Sequence, residues 1–487
     1  MNFKKTLCMS LAVLSIFTAT FAAGAQEAPE TEAVIVEESD AELMAIKEVE
    51  PGDGLVYECD TSKRTAIVIR ISPALTSKKT VHIPATVKSG NIDCKVIEVA
   101  DGFCNGHEGV ETVSFKNATN LKKIGENCFS YCPELSIVTF AESSSKLESI
   151  GNNCFYYSPN LTYVVNAEKQ TNLSDVGSSV FGLTPYMDAQ TGEFVMLGDV
   201  IVKYNGSNTA IKIPSGVIGI ADAFFGRDIV SVDLGTEIKT IGNNAFYGCR
   251  KLESVSIPAS CTKIGDMAFA GCTSLETVEY AGALASIGFC SFANCSELQA
   301  FRYTGNGNSV LSAIGECAFW NDRKLVYIDT GDIKNVNVGS FWNCFGDGPD
   351  AVYYYRIPKT VETVAEGGYG NLWFSYVTVP DTIKALASTA FGSTSGATYV
   401  IVKGSVADEY FNNSGYSYIY YGDMDANGKI NAKDIKKVAE YLAKGINSLN
   451  YDMGRGVIVD GDNDGVISTK DLYEIFKSIR EDYEAEN

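Results

Sequence analysis

Two twelve-residue runs near the C-terminus carry oxygen-bearing side chains at the spacing that closes around a hard cation. In DMDANGKINAKD, Asp423, Asp425, Asn427, Asn431 and Asp434 stand at loop positions 1, 3, 5, 9 and 12. Lys429 offers its backbone carbonyl at position 7, and Gly428 at position 6 allows the sharp turn. In DGDNDGVISTKD the same places hold Asp460, Asp462, Asp464, Ser468 and Asp471, with the Val466 carbonyl and Gly465 between them. Calcium takes about six to eight oxygens, so the pair of runs, 37 residues apart, predicts two calcium ions.

A helical pattern follows each run, with Ile435, Val438 and Leu442 on one face of the first and Leu472, Ile475, Phe476 and Ile479 on the second. The segments before the runs, YSYIYYG and GRGVIV, lack that pattern, and position 12 is Asp instead of Glu. Both features count against a complete helix-loop-helix EF-hand. A duplicated loop with a single helix resembles the dockerin domain, over residues 422 to 480. That resemblance implies calcium-dependent docking to a cohesin domain on a scaffolding protein, of the kind that assembles polysaccharide-degrading complexes. In the family, loop positions 10 and 11 help read the partner, often as Ser-Thr. Here they are Ala432, Lys433 and Thr469, Lys470, a departure that leaves the identity of the cohesin open. The competing reading is a calcium-stabilised cap with no partner.

Composition narrows the rest. The 487 residues include 60 acidic and 39 basic side chains, a formal charge of −21, which is the wrong sign for a nucleic-acid binder. The two histidines, His82 and His107, leave little for imidazole catalysis or a His-rich metal site. Lys4 and Lys5, an apolar run from Leu7 to Ala23 and a small-residue end at Ala23, Gly24, Ala25 read as a secretory signal peptide over residues 1 to 25. No later stretch is long and apolar enough for membrane insertion. Residues 26 to 50, with nine acidic side chains against Lys47, read as an acidic disordered leader. The expected location is secreted, extracellular or associated with the cell surface.

Those terminal segments flank a repeat. IGENCF, IGNNCF, VGSSVF, IGNNAF, IGDMAF, IGFCSF and IGECAF end at Phe129, Phe155, Phe181, Phe246, Phe269, Phe292 and Phe319. Degenerate copies end at Phe341, Tyr369 and Phe391, and variants at Cys104 and Phe225, twelve in all. Steps of 22 to 28 residues, with one of 65, indicate stacked solenoid units. Six residues after most of these aromatics a short alternating pattern begins, as in LESVSIP from Leu252, so each unit contributes one strand to a parallel sheet and a tight return containing the Phe. Stacking neighbours creates the core that no single unit has.

The I-G-x-x-A-F-x-x-C string followed by L-x-x-V-x-I-P resembles the BspA-like leucine-rich-repeat family of bacterial surface proteins, over about residues 97 to 392. The segment from Phe194 to Val217 resembles the hairpin that interrupts and restarts that family's solenoid, and Val400 to Tyr421 resembles its terminal cap. The expected fold class is an α/β leucine-rich-repeat solenoid of about 12 rungs followed by a small α domain with two calcium loops. The expected order is an N-terminal β cap at 51–96, the solenoid at 97–399 with a hairpin insert at about 182–217, a C-terminal cap at 400–421 and the dockerin-like domain at 422–487.

Thirteen cysteines follow the signal peptide, an odd number with no C-x-x-C pair. Cys132, Cys249, Cys272, Cys295 and Cys344 each lie three residues after a repeat Phe, as buried small side chains would, although stacked rungs also bring equivalent positions within disulfide range. On the outward side of the sheet the last four rungs are expected to align Tyr327, Tyr354, Tyr376 and Tyr399 as an aromatic stripe facing an unknown protein or glycan ligand. A ladder that only stabilises the sheet is the alternative. Two function classes follow. One is a non-catalytic binding protein, docked through cohesin or acting as a surface adhesin. The other is a dockerin-delivered polysaccharide-degrading enzyme, which needs paired carboxylates in a cleft that the repeats leave no inserted domain to house.

Overall fold

The computed structural model describes residues 46–72, 79–143, 145–306, 309–325, 327–331, 333–344, 354–370, 376–392, 397–423, 427–443 and 473. The chain divides into two compact units, Met1–Ile46 and Lys47–Asn487, and the second carries the fold. The signal peptide and residues 26 to 45 of the acidic leader lie outside the described residues. The end of that leader is not disordered: within the strand Ile46–Val49, Glu48 pairs with Arg70, and Glu50 then accepts from the Ser72 hydroxyl. Alternation of side chains lets these few residues serve as a strand despite the acidic stretch before them.

Antiparallel strands Leu55–Asp60 and Thr65–Ile71 build the cap, and Thr65–Ile71 passes the pairing on to Ile92–Val99 in parallel. From there most units add two strands. Among the described residues the longer strands stack in four ladders, one of which sets Ser254 beside Thr277 and Thr277 beside Ala300. The isoleucine that opens each hexapeptide lies in a second, two-residue strand, so that Lys263–Ile264 pairs with Ser286–Ile287. The return is therefore itself a ladder, which the one-strand reading of each unit did not include.

Glycine after that isoleucine is required by close approach. A Cβ added to Gly265 would stand 2.6 Å from the Asn243 nitrogen of the preceding rung. The repeat phenylalanines form a spine of stacked rings: Phe246–Phe269 and Phe269–Phe292 centroids are 5.1 and 5.2 Å apart with planes within 5° of parallel. Such pairs contribute roughly 0.5–1.5 kcal/mol each beyond burial.

The spine breaks once. Phe155 stacks on Phe181, but the next ring, Phe224, lies tilted by 42° against Tyr204 of the hairpin Phe194–Leu197/Val200–Tyr204. The hairpin's second strand then pairs in parallel with Gly219–Ile220 and restarts the ladder. In this rung the spine residue is Phe224 and not Phe225, which is 56% exposed and lies on Tyr247. Two adjacent phenylalanines made the frame ambiguous by one residue, and burial selects the first.

Twelve of the thirteen cysteines from Cys59 to Cys344, all but Cys317, are buried thiols outside any disulfide. Several also bond. The thiols of Cys249, Cys272 and Cys295 donate to the carbonyls of Phe224, Phe246 and Phe269, one rung earlier, at 3.1 to 3.2 Å. Cysteine thus serves here as a small apolar filler with a weak donor. At the C-terminal end, helix Val406–Ser414 is capped by the Ser405 hydroxyl and seats Phe411 on the last rung, and strand Tyr418–Tyr420 pairs with Thr398–Ile401. Among the described residues no helix is long and apolar enough to cross a membrane.

Candidate functional site

The outward column of the longer strands is set by their register. Ala300 pairs with Tyr327, while Tyr354, Tyr376 and Thr398 are successive partners. Tyr399 is therefore not part of the outward column. It aligns with Val377, is fully buried, and packs its ring 4.5 Å from Phe411 and 4.9 Å from Phe391. The offset has a simple origin: Ala397 stands one place later in its rung than Leu298 and Leu325 do in theirs, so counting from the first small apolar residue shifts the frame by one. Tyr376 is half-buried; the side chains of Tyr327 and Tyr354 lie outside the described residues. Earlier in the column Tyr163 is 65% exposed, Ser231 and Ser254 are exposed and Ala300 is buried. The next column places Glu279 beside Arg302.

The first acidic run folds as a loop around its first carboxylate. Asp423 is buried, and its two oxygens accept from the backbone N–H groups of Asn427 at 3.2 Å and Gly428 at 2.7 Å. Gly428 has φ of +79°, the left-handed turn that position 6 demands. Asp434, at position 12, is also buried, and its Oδ2 accepts from the Asn431 N–H at 2.9 Å at the start of helix Ala432–Ala443. The Asn427 and Asn431 side-chain oxygens accept from Lys429 and Lys433 N–H groups. Ala432 and Lys433 are exposed on the first turn of that helix. Two buried carboxylates and two amide oxygens on one short loop are the donor set a hard cation takes. Among the described residues no group of three or more His, Cys, Asp or Glu is placed to hold a metal, and the third carboxylate of this loop, Asp425, lies outside them. So does the whole second run, with Asp460, Asp462, Asp464, Val466, Ser468, Thr469, Lys470 and Asp471.

Most repeat thiols with a resolved shift are pushed away from the thiolate. Burial pushes the Cys249 thiol up to about 12 and the Cys261 thiol up to about 11, and raises Cys272, Cys295 and Cys344 well above the ordinary thiol value. A nucleophilic cysteine needs the opposite shift, which the hydrogen bond with Cys104 gives Cys132, but that thiol is fully buried. His82 is exposed, and His107 accepts the Gly109 N–H at its Nδ1.

One cluster escaped the sequence reading: Tyr131, Tyr156, Tyr157 and Leu183, on the turns that follow the spine rings of the first block. Its signal was present, since a slot that holds glycine or asparagine in other rungs holds large side chains in three consecutive ones.

Comparison with known proteins identifies the repeats. The model for the BspA type leucine rich repeat region matches residues 85–190 and 218–347 in six copies, and the gap between the two stretches contains the hairpin. No curated protein matches the chain. Similar solved structures include a leucine rich cell surface protein from Faecalibacterium prausnitzii, 18% identical over 76% of this chain and 98% of that one with a TM-score of 0.29. Another is a leucine-rich repeat protein from Bacteroides ovatus, 17% identical over 75% and 98% with a TM-score of 0.27. A third is the pneumococcal vaccine antigen PcpA, 14% identical over 77% and 98% with a TM-score of 0.26. Residues 85–190 and 218–347, which carry the ladders and most of the phenylalanine spine, thus match the BspA type leucine rich repeat region.

Proposed function

We propose that this is a secreted, non-catalytic binding protein whose solenoid presents a recognition face for a protein or glycan, and whose C-terminal domain docks it, with calcium, to a cohesin on a scaffolding protein. The observation that carries the docking half is the loop from Asp423 to Asp434. A carboxylate at position 1 gathers the N–H groups of positions 5 and 6, while a second buried carboxylate caps the helix carrying the partner-reading residues Ala432 and Lys433. Calcium bound by Asp423, Asp425, Asn427, the Lys429 carbonyl, Asn431 and Asp434 would neutralise these carboxylates and fix the helix N-terminus relative to the loop. The second ion would be held by Asp460, Asp462, Asp464, the Val466 carbonyl, Ser468 and Asp471, beside Thr469 and Lys470. The recognition half draws support from the match to the repeat family and from ladders whose outward columns carry tyrosine, serine and alternating charge.

Calorimetric titration of the full chain with calcium, followed by capture of cohesins with and without chelator, tests the docking half. Asp423→Ala combined with Asp460→Ala is expected to abolish both calcium uptake and capture. Capture that persists in chelator would reject calcium-dependent docking. Calcium uptake with no cohesin captured would reduce the domain to a stabilising cap on a surface adhesin.

A further inference from the structure

We propose that the return edge of the first block, around Tyr131, Tyr156, Tyr157 and Leu183, is a binding site for an uncharged oligosaccharide. It is a different surface from the sheet face and does not depend on the reading of that face.

The argument begins with backbone strain. Tyr131, Tyr157 and Leu183 occupy the second position after Phe129, Phe155 and Phe181, with φ of 56°, 52° and 53°. In later rungs the same slot holds Gly226, Gly248 and Gly271, then Asn294, Asn321 and Asn343, residues that tolerate the left-handed region. A large L side chain there is disfavoured. Burial does not compensate, because the three side chains are 51, 51 and 60% exposed. Strain retained on three consecutive rungs without burial in the core points to use of the side chains themselves.

The rungs tie these rings together. Tyr131 N–H donates to the Tyr156 carbonyl and Tyr157 N–H to the Gly182 carbonyl, both at 2.9 Å. The Tyr131 ring lies 5.8 Å from that of Tyr156 and 5.4 Å from that of Tyr157, steeply inclined to the first and tilted to the second. Gly182 abuts the Tyr156 ring, where an added Cβ would stand 3.0 Å from Cδ2. Gly182 also lines a cleft of about 180 Å³ with Ser179, Met187, Lys203 and Asp222. The aromatic platform and the polar cleft therefore share a wall.

The chemistry of the two parts selects the occupant. Exposed tyrosines offer apolar ring faces with polar tips, suited to stacking against a pyranose. In the cleft, Asp222 Oδ2 accepts from the Ser179 N–H at 2.7 Å and hydroxyl at 3.0 Å, and Lys203 Nζ donates to the Met187 carbonyl at 3.0 Å. A carboxylate, a hydroxyl and an ammonium pair with sugar hydroxyls in both hydrogen-bonding senses. The one acid and one base lining the cleft cancel, which in a chain of net charge −21 favours a neutral ligand over an ion. The rung repeat of about 4.8 Å is also close to the length of one pyranose residue in an extended chain, so that successive rungs meet successive sugars.

Isothermal titration of the full chain with cellohexaose, xylohexaose and mannohexaose is the test. At least one is expected to bind, about tenfold more weakly in the Tyr131→Asn/Tyr157→Asn variant, as loss of aromatic stacking implies, and more weakly in Asp222→Asn. The melting temperature of the tyrosine variant should hold or rise, because asparagine suits the left-handed slot. No heat with any of the three sugars, or affinity that survives the tyrosine pair, would overturn the proposal; binding lost instead in Tyr376→Ser belongs to the sheet face and would overturn it too.

Discussion

Asp322 occupies the slot, three residues past Phe319, that Cys249, Cys272, Cys295 and Cys344 fill on neighbouring rungs. It is fully buried. Its Oδ1 accepts the Cys295 N–H at 2.8 Å, and its Oδ2 has no hydrogen-bond partner among the described residues. Burial raises its carboxyl well above the usual range, and the single N–H bond offsets little of that. An acid raised on folding favours the native state fully below its unfolded value near 4, and that contribution is lost as pH rises toward the folded value. Asp322→Cys should therefore stabilise the protein at pH 7 by about 1–3 kcal/mol, the cost of an unsatisfied buried polar group, and by less at pH 4. Urea unfolding at the two pH values measures it. This residue also shows the limit of sequence reading at the finest scale. The recurrence of cysteine was visible in the spacing, but the carbonyl each thiol serves lies one rung away, and no spacing displays it. Tyr399 is the same lesson, since its side of the sheet depended on one residue of register that only the pairing with Val377 fixes.

At the scale of the turn, glycine, asparagine and phenylalanine divide the work. Gly265→Ala places a Cβ against the backbone of the preceding rung, and overpacking of this kind costs roughly 1–3 kcal/mol. Thermal unfolding should show the loss. Tyr157→Asn should act in the opposite direction, by about 1 kcal/mol, since it relieves a left-handed tyrosine without uncovering core. The turn was legible in part: the hexapeptide revealed its period and its buried ring. Its second strand was not, because two residues give no periodicity to read, and the bond pattern alone defines it. The loop from Asp423, expected to hold calcium, was visible in its spacing, and the structure adds which N–H groups the Asp423 carboxylate gathers.

Over the whole solenoid, apolar packing divides into two cores, one drawing on Leu55 to Ala221 and the other on Ile201 to Phe411, with the hairpin contributing to both. Stability in such a stack is approximately a sum of neighbour terms. Unfolding in urea should then depart from a single two-state step. Phe155→Ala should lower the transition of the first block and Phe269→Ala that of the second, each by about 3–5 kcal/mol, with hydrogen exchange assigning the affected rungs. The step of 65 residues marked where the interruption falls, but not that the rings themselves part company there. The free thiols give this arrangement a built-in clock. A thiol held between rungs reacts with an alkylating reagent only when its own turn opens, so the labelling rate of Cys132, Cys249, Cys272, Cys295 and Cys344 reads out the opening frequency of five separate turns in one mass-spectrometric experiment.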